Sequence, residues 1–157
     1  MSSELNHGDS SREMVVIRTI KAPRAKVYEA FVSDGIENWW GPDGFTTTTF
    51  KRDVRPGGSW IYIMHGPDGT DYNNRIDYTD FIQDELIRYE HGTGDPGVPA
   101  DFISEISFRD VQGGTEVTLK ATFRTAKLRE DAFRFGAAEG GQQTLGRLEA
   151  FLIGRQV

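Results

Sequence analysis

Apolar and polar residues alternate along most of this chain, and where the alternation stops they recur every three or four positions. MVVIRTI, from Met14 to Ile20, is rich in β-branched residues and predicts a first strand. Pro23 then stands where a helix accepts proline in its first turn. In the segment RAKVYEAFV after it, Val27, Ala30 and Phe31 share one face, which predicts a short helix. Gly35 ends or kinks that helix, and a second short helical piece is expected to carry Trp39 and Trp40 up to Gly41-Pro42.

From Phe45 to Arg124 the period is two. FTTTTFKRDV predicts a strand, turned by Pro56-Gly57-Gly58. SWIYIMH follows, with Trp60, Tyr62 and Met64 on one face and Ile61, Ile63 and His65 on the other. Gly66-Pro67-Asp68-Gly69 is turn chemistry, and TDYNNRIDYTDFI and LIRYEH read as two further strands joined at Gln83 to Glu85. The stretch Gly92 to Pro99 has no period and is expected to be exposed. DFISEISFRDV puts Phe102, Ser104, Ile106 and Phe108 together, and Gly113-Gly114 closes a hairpin into TEVTLKATFRT. One face of such strands is buried and the other wet, the mark of an antiparallel sheet.

Beyond Thr125 the period becomes 3.6, and Leu128, Ala132, Phe135, Leu145, Leu148, Phe151 and Leu152 predict one long C-terminal helix. Residues 1–12 are small and polar and are expected to form a disordered tail, which leaves 13–157 as a single domain. The fold class is α+β, with the last helix laid across the apolar face of the sheet.

Composition narrows the function. The 157 residues hold 18 Lys+Arg against 24 Asp+Glu, a formal charge of −6, and the densest basic stretch (Lys51, Arg52, Arg55) is diluted by Asp53. Nucleic-acid binding needs a concentrated basic surface, so no nucleic-acid partner is expected. No apolar run is long enough for a bilayer, and no basic amphipathic pattern argues for a membrane surface. Cysteine is absent, which removes thiolate nucleophiles and cysteine-held metals. A cytoplasmic location is the expectation, since the first residues also lack an apolar signal core.

Several blocks, taken in order, resemble a known family. They are Ile20-Lys21-Ala22-Pro23 with Val27-Tyr28-Glu29-Ala30-Phe31, Trp39-Trp40-Gly41-Pro42 with Gly44-Phe45-Thr46, and Arg55-Pro56-Gly57-Gly58-Ser59-Trp60. Met64 with His65-Gly66-Pro67-Asp68-Gly69, Tyr89-Glu90-His91-Gly92, and Gly136-Ala137-Ala138-Glu139-Gly140 running into Leu145-Gly146-Arg147-Leu148 complete the set. Over about residues 14–153 the chain resembles the SRPBCC superfamily, the START or Bet v 1-like helix-grip proteins. Within it the chain is similar to the branch related to the activator of heat-shock-protein-90 ATPase. The resemblance implies a curved antiparallel sheet wrapped around a long C-terminal helix, two short helices after the first strand, and a cavity between sheet and helix. This branch usually places a tryptophan after Glu139-Gly140, and here the residue is Gly141. Two adjacent helical glycines cost about 1 kcal/mol each against alanine, so a kink or a close approach by sheet or ligand must compensate.

On that fold the cavity wall is expected to include Trp39, Trp40, Phe45, Trp60, Tyr62 and Met64. Asn74, Tyr78, Ser104, Phe123, Phe133 and Gly141 complete the candidate ligand-binding residues. By alternation Asn74, Ile76, Tyr78 and Asp80 share a strand face, unless a bulge turns some of them outward. Arg75 or His65 would stand near a mouth. His65 and His91 sit at strand ends, and without clustered ligand spacing neither a metal nor a cofactor is expected. No G-x-S-x-G elbow is present, and Gly92, Gly94 and Gly97 lack the strand–loop–helix setting of a phosphate loop. The first functional reading is therefore binding of a small, mainly hydrophobic molecule. A cyclase- or hydrolase-type enzyme using the same cavity, with Asp80 or His65 as base, is the second reading. A chaperone-associated interaction module is the third, and homodimer formation stays open.

Overall fold

A computed structural model describes residues 11–154, so residues 1–10 of the expected tail and residues 155–157 lie outside the described residues. The chain runs β1 (Glu13–Ile20), α1 (Arg24–Val32), a 3-10 turn (Asp34–Asn38), β2 (Thr46–Arg52), β3 (Ser59–His65) and β4 (Asp71–Ile82). It continues with β5 (Leu86–Gly92), β6 (Phe102–Val111), β7 (Gly114–Phe123), α2 (Ala126–Arg134) and α3 (Ala137–Gly154). The seven strands form one antiparallel sheet in the order β1-β7-β6-β5-β4-β3-β2, so the first strand pairs with the last. Order already includes Arg12, whose carbonyl accepts from the Phe123 amide at 2.7 Å and whose Nε donates to the Phe123 carbonyl at 2.8 Å.

The period-two reading survives in the burial pattern. Trp60, Tyr62 and Met64 are buried on β3 while Ile61, Ile63 and His65 are not, and Ser104, Ile106 and Phe108 are buried on β6. Leu145 and Leu148 of α3 are fully buried against this inner face, and Val27, Tyr28, Ala30 and Phe31 of α1 complete the core. The structure is an α+β helix-grip architecture.

Four details depart from the sequence reading. The C-terminal segment is two helices, because Phe135 and Gly136 end α2. Gly136 takes φ +81° and donates to the Phe133 carbonyl at 3.0 Å, a left-handed helix terminus that glycine adopts without penalty. Phe135, expected on the apolar stripe, is thereby 90% exposed. The second helical piece is a 3-10 turn that stops at Asn38, and Trp39 and Trp40 follow it. Finally, β2 and β4 each contain a bulge, between Thr49 and Lys51 and between Tyr78 and Asp80. The second bulge settles the strand-face question: Asn74, Ile76 and Tyr78 face inward, while Asp80 is turned out to Arg88 at 3.6 Å.

Arg52 is also not where a basic surface stretch would put it. Its side chain is 6% exposed, with Nη2 donating to the Phe31 carbonyl at 2.9 Å and Nη1 to that of Val32 at 3.3 Å. It thus serves the last carbonyls of α1, where a cation complements the helix dipole, and its guanidinium lies 5.1 Å from the Trp60 ring centre.

Candidate functional site

Between the inner face of the sheet and the C-terminal helices lies a cavity of two lobes. The larger, about 480 Å³, is walled by Trp40 to Asp43 and Phe45, by Tyr62 and Met64 of β3, Asn74 of β4 and His91 of β5, and roofed by Phe135 to Ala137, Glu139 to Gly141, Gln143 and Thr144. The smaller, about 240 Å³, is walled by Met14, Val16, Tyr89, Phe102, Ser104 and residues of β7 including Phe123. Trp40, His91, Ala137, Gly141 and Thr144 line both lobes.

Local structure explains why these side chains converge. Trp40 leaves the 3-10 turn on a loop that Arg147 of α3 ties down through the Gly41 and Pro42 carbonyls, each at 2.9 Å. Its indole Nε1 donates to the Tyr62 hydroxyl at 3.0 Å, and Tyr62 in turn stacks on Trp60 at 4.0 Å between ring centres. Gly141 permits a close approach rather than a kink: a Cβ there would lie 3.1 Å from Val16 Cγ2 on β1. Gly140 similarly faces Pro42, at 3.3 Å from its Cγ.

The polar end of the larger lobe is a short relay. Asn74 Nδ2 donates to the Tyr72 carbonyl at 3.1 Å, which fixes the amide so that Oδ1 faces His91 Nε2 at 2.8 Å. His91 Nε2 therefore carries the hydrogen, and Nδ1 keeps its lone pair. Burial pushes the imidazole pKa down to about 4, so the ring is neutral near pH 7. His91 Nε2 is also 3.5 Å from the Tyr62 oxygen, whose phenol burial pushes well above its ordinary value.

Of the expected wall residues, Trp40, Phe45, Tyr62, Met64, Asn74, Ser104, Phe123 and Gly141 line one lobe or both. Trp39, Trp60, Tyr78 and Phe133 do not line either lobe. Trp39 is fully buried against Phe31 and Trp40, at 4.9 and 5.8 Å between ring centres. Trp60 stands behind Tyr62, and Tyr78 is buried beside Tyr89 with its phenol toward Arg52. Phe133 is on the outer side of α2 beneath the Arg129 guanidinium, 4.4 Å away. His65 bonds Asp71 at 2.7 Å and Thr48 at 2.8 Å and belongs to the face of β3 opposite Tyr62, so it does not meet His91. Arg75 is bound to Asp77 on the outer face of β4. The sequence reading missed His91 as a wall residue, although it shares parity with Ile87 and Tyr89 on the inner face of β5.

Residues 21–152 match the family described as activator of Hsp90 ATPase homolog 1-like protein. The chain belongs to this family. Solved structures agree on the family's architecture. A protein from Nitrosomonas europaea superposes with a TM-score of 0.85 at 21% identity, covering 94% of this chain and 98% of that one. One from Mycobacterium smegmatis gives 0.84 at 23% identity, covering 95% and 96%. The AHSA1 protein from Silicibacter pomeroyi gives 0.69 at 21% identity, covering 91% and 99%. At these identities the likeness establishes the fold. No curated protein matches this family member. Among its described residues, no helix is long and apolar enough to cross a membrane.

Proposed function

We propose that this protein binds a small, mainly hydrophobic molecule in the cavity between the sheet and the C-terminal helices. The observation that carries this reading is the larger lobe itself. Its volume, about 480 Å³, falls in the range of small-molecule sites, and its inner wall is aromatic and apolar with a few converging polar groups. Trp40, Phe45 and Met64 supply the apolar contact, and Tyr62, Asn74 and His91 supply polarity at one end. The family fold provides the setting, and the ligand is proposed from the cavity of this chain.

The test is a titration with N-phenyl-1-naphthylamine, a neutral apolar dye that fluoresces when it leaves water. Saturable binding of one dye per chain, quenching tryptophan emission and weakened by a Trp40→Ala change, is the expected result. A dye that finds no saturable site would sink the proposal. Mass spectrometry of denatured protein is the companion measurement, and a recovered apolar compound would identify the class directly.

A further inference from the structure

The relay at the end of the larger lobe has one hydrogen too many. Tyr62 accepts from Trp40 Nε1 at 3.0 Å. Its second neighbour, His91 Nε2, is already a donor because Asn74 Oδ1 requires that hydrogen. The phenol's own hydrogen therefore has no acceptor among the described residues. It is left at the polar end of the lobe's wall, and a buried donor without a partner is costly. Water can satisfy it in the free protein, but a ligand that displaces this water must replace its hydrogen bond or lose affinity.

The charges around the lobe restrict the ligand further. No lysine or arginine lines it among the described residues, and its only charged side chains, Asp43 and Glu139, are exposed acids at the rim. An anionic ligand would meet no counter-charge and would face two carboxylates. The inner polar groups are neutral as well, since burial keeps His91 unprotonated near pH 7. The flat apolar walls of Trp40 and Phe45, with Met64 beside them, suit a ring system.

From this geometry we infer that the cavity takes an uncharged, ring-containing molecule bearing an oxygen acceptor, a ketone or hydroxyl, which the Tyr62 hydroxyl holds. The inference rests on the cavity reading above and specifies its ligand class.

The experiment uses three probes of similar size with the full chain: 2-acetylnaphthalene, 2-isopropylnaphthalene and 2-naphthoate. The ratio of ketone to hydrocarbon affinity is measured by calorimetry for the native protein and for Tyr62→Phe. The ratio is expected to fall about tenfold in the variant while hydrocarbon binding persists, and the naphthoate is expected to bind at least tenfold more weakly than the ketone. Because Tyr62→Phe also removes the acceptor of Trp40, a second readout needs no substitution. The carbonyl stretch of isotope-labelled 2-acetylnaphthalene should move to lower frequency in the native complex than in hexane. An unchanged affinity ratio, or a hexane-like carbonyl in the complex, overturns the inference and leaves the cavity reading standing. Failure of all three probes to bind overturns the cavity reading together with it.

Discussion

Arg147 and Gly41 are bound across more than a hundred residues of sequence, with Nη1 of the arginine donating to the glycine carbonyl at 2.9 Å. The same nitrogen reaches the Pro42 carbonyl at 2.9 Å and that of Trp40 at 3.4 Å. Gly41 adopts φ +101°, and a Cβ there would stand 2.8 Å from Met64 Sδ, so only glycine lets the loop pass this close to β3. One cation thus holds the loop that carries an indole of the cavity wall. Arg147→Met is expected to cost about 2 kcal/mol, or roughly 5 °C in Tm, because charged hydrogen bonds to partly buried carbonyls are lost. Tryptophan emission should shift to the red in the folded variant as the Trp40 indole gains access to water. An unchanged melting curve and spectrum would show that the loop is held by packing alone.

His91 gives the protein a pH dependence whose sign follows from its burial. The unfolded residue takes up a proton near pH 6.5, whereas the folded one resists until about pH 4. Between those values the unfolded chain binds more protons, so stability is fully present above pH 6.5 and declines as the pH falls toward 4. A shift of this size is worth up to about 3 kcal/mol. In urea melts, native protein should lose more stability across that window than His91→Phe does. Nitrogen NMR at neutral pH should also show His91 protonated at Nε2 and bare at Nδ1. Parallel pH profiles for the two proteins would contradict the assigned environment.

Gly141 lines both lobes and touches β1, so a larger residue acts on cavity and sheet together. Gly141→Trp is expected to lower the affinity for N-phenyl-1-naphthylamine at least tenfold. The stability change should be small, about 1 kcal/mol either way, because restored helix propensity offsets the few tenths of an ångström by which Val16 must move. Calorimetry and a thermal melt on the same sample separate the two effects. Retained affinity would mean that the indole lies outside the space the dye occupies.

Arg52 supplies a contrast, since it supports the fold without reaching the cavity. Removing its fork leaves the Phe31 and Val32 carbonyls at the end of α1 without their donor. Arg52→Met should destabilise by about 3 kcal/mol, and Arg52→Lys by less, because an ammonium cannot span both carbonyls and still cover Trp60. Dye affinity at a temperature where the variant is folded should be unchanged.

Most strands were legible because one face is more buried than the other, which leaves a period of two along the sequence. The ambiguous face of β4 shows the limit of that signal. A bulge at Thr79 inserts one residue, and nothing in TDYNNRIDYTDFI says on which side of Tyr78 the parity resets. The C-terminal break was written in Arg134-Phe135-Gly136, a glycine just past a helix end. The apolar residues on either side keep helical spacing through it and hide the interruption. Within the cavity that the family resemblance implied, the strand residues Tyr62, Met64, Asn74, Ser104 and Phe123 followed from parity, whereas Trp40, Phe45 and Gly141 lie off the strands. Trp39, Trp60 and Tyr78 shared the chemistry of wall residues but stand one layer deeper, a distinction set by packing. The work of Arg52 and Arg147 was invisible because their partners are carbonyls, which every residue possesses, at distant positions.

Gly140 and Gly141 let α3 rest against Pro42 on one side and Val16 on the other, so at these two positions the roof is already in contact with its supports. A side chain at either position makes Val16 or Pro42 give by a few tenths of an ångström. Ala137, one turn earlier, lines both lobes as well. Ligand size on this scaffold is therefore tied to the glycine pair, whose missing side chains leave the headroom that a bulky residue at position 141 would take away.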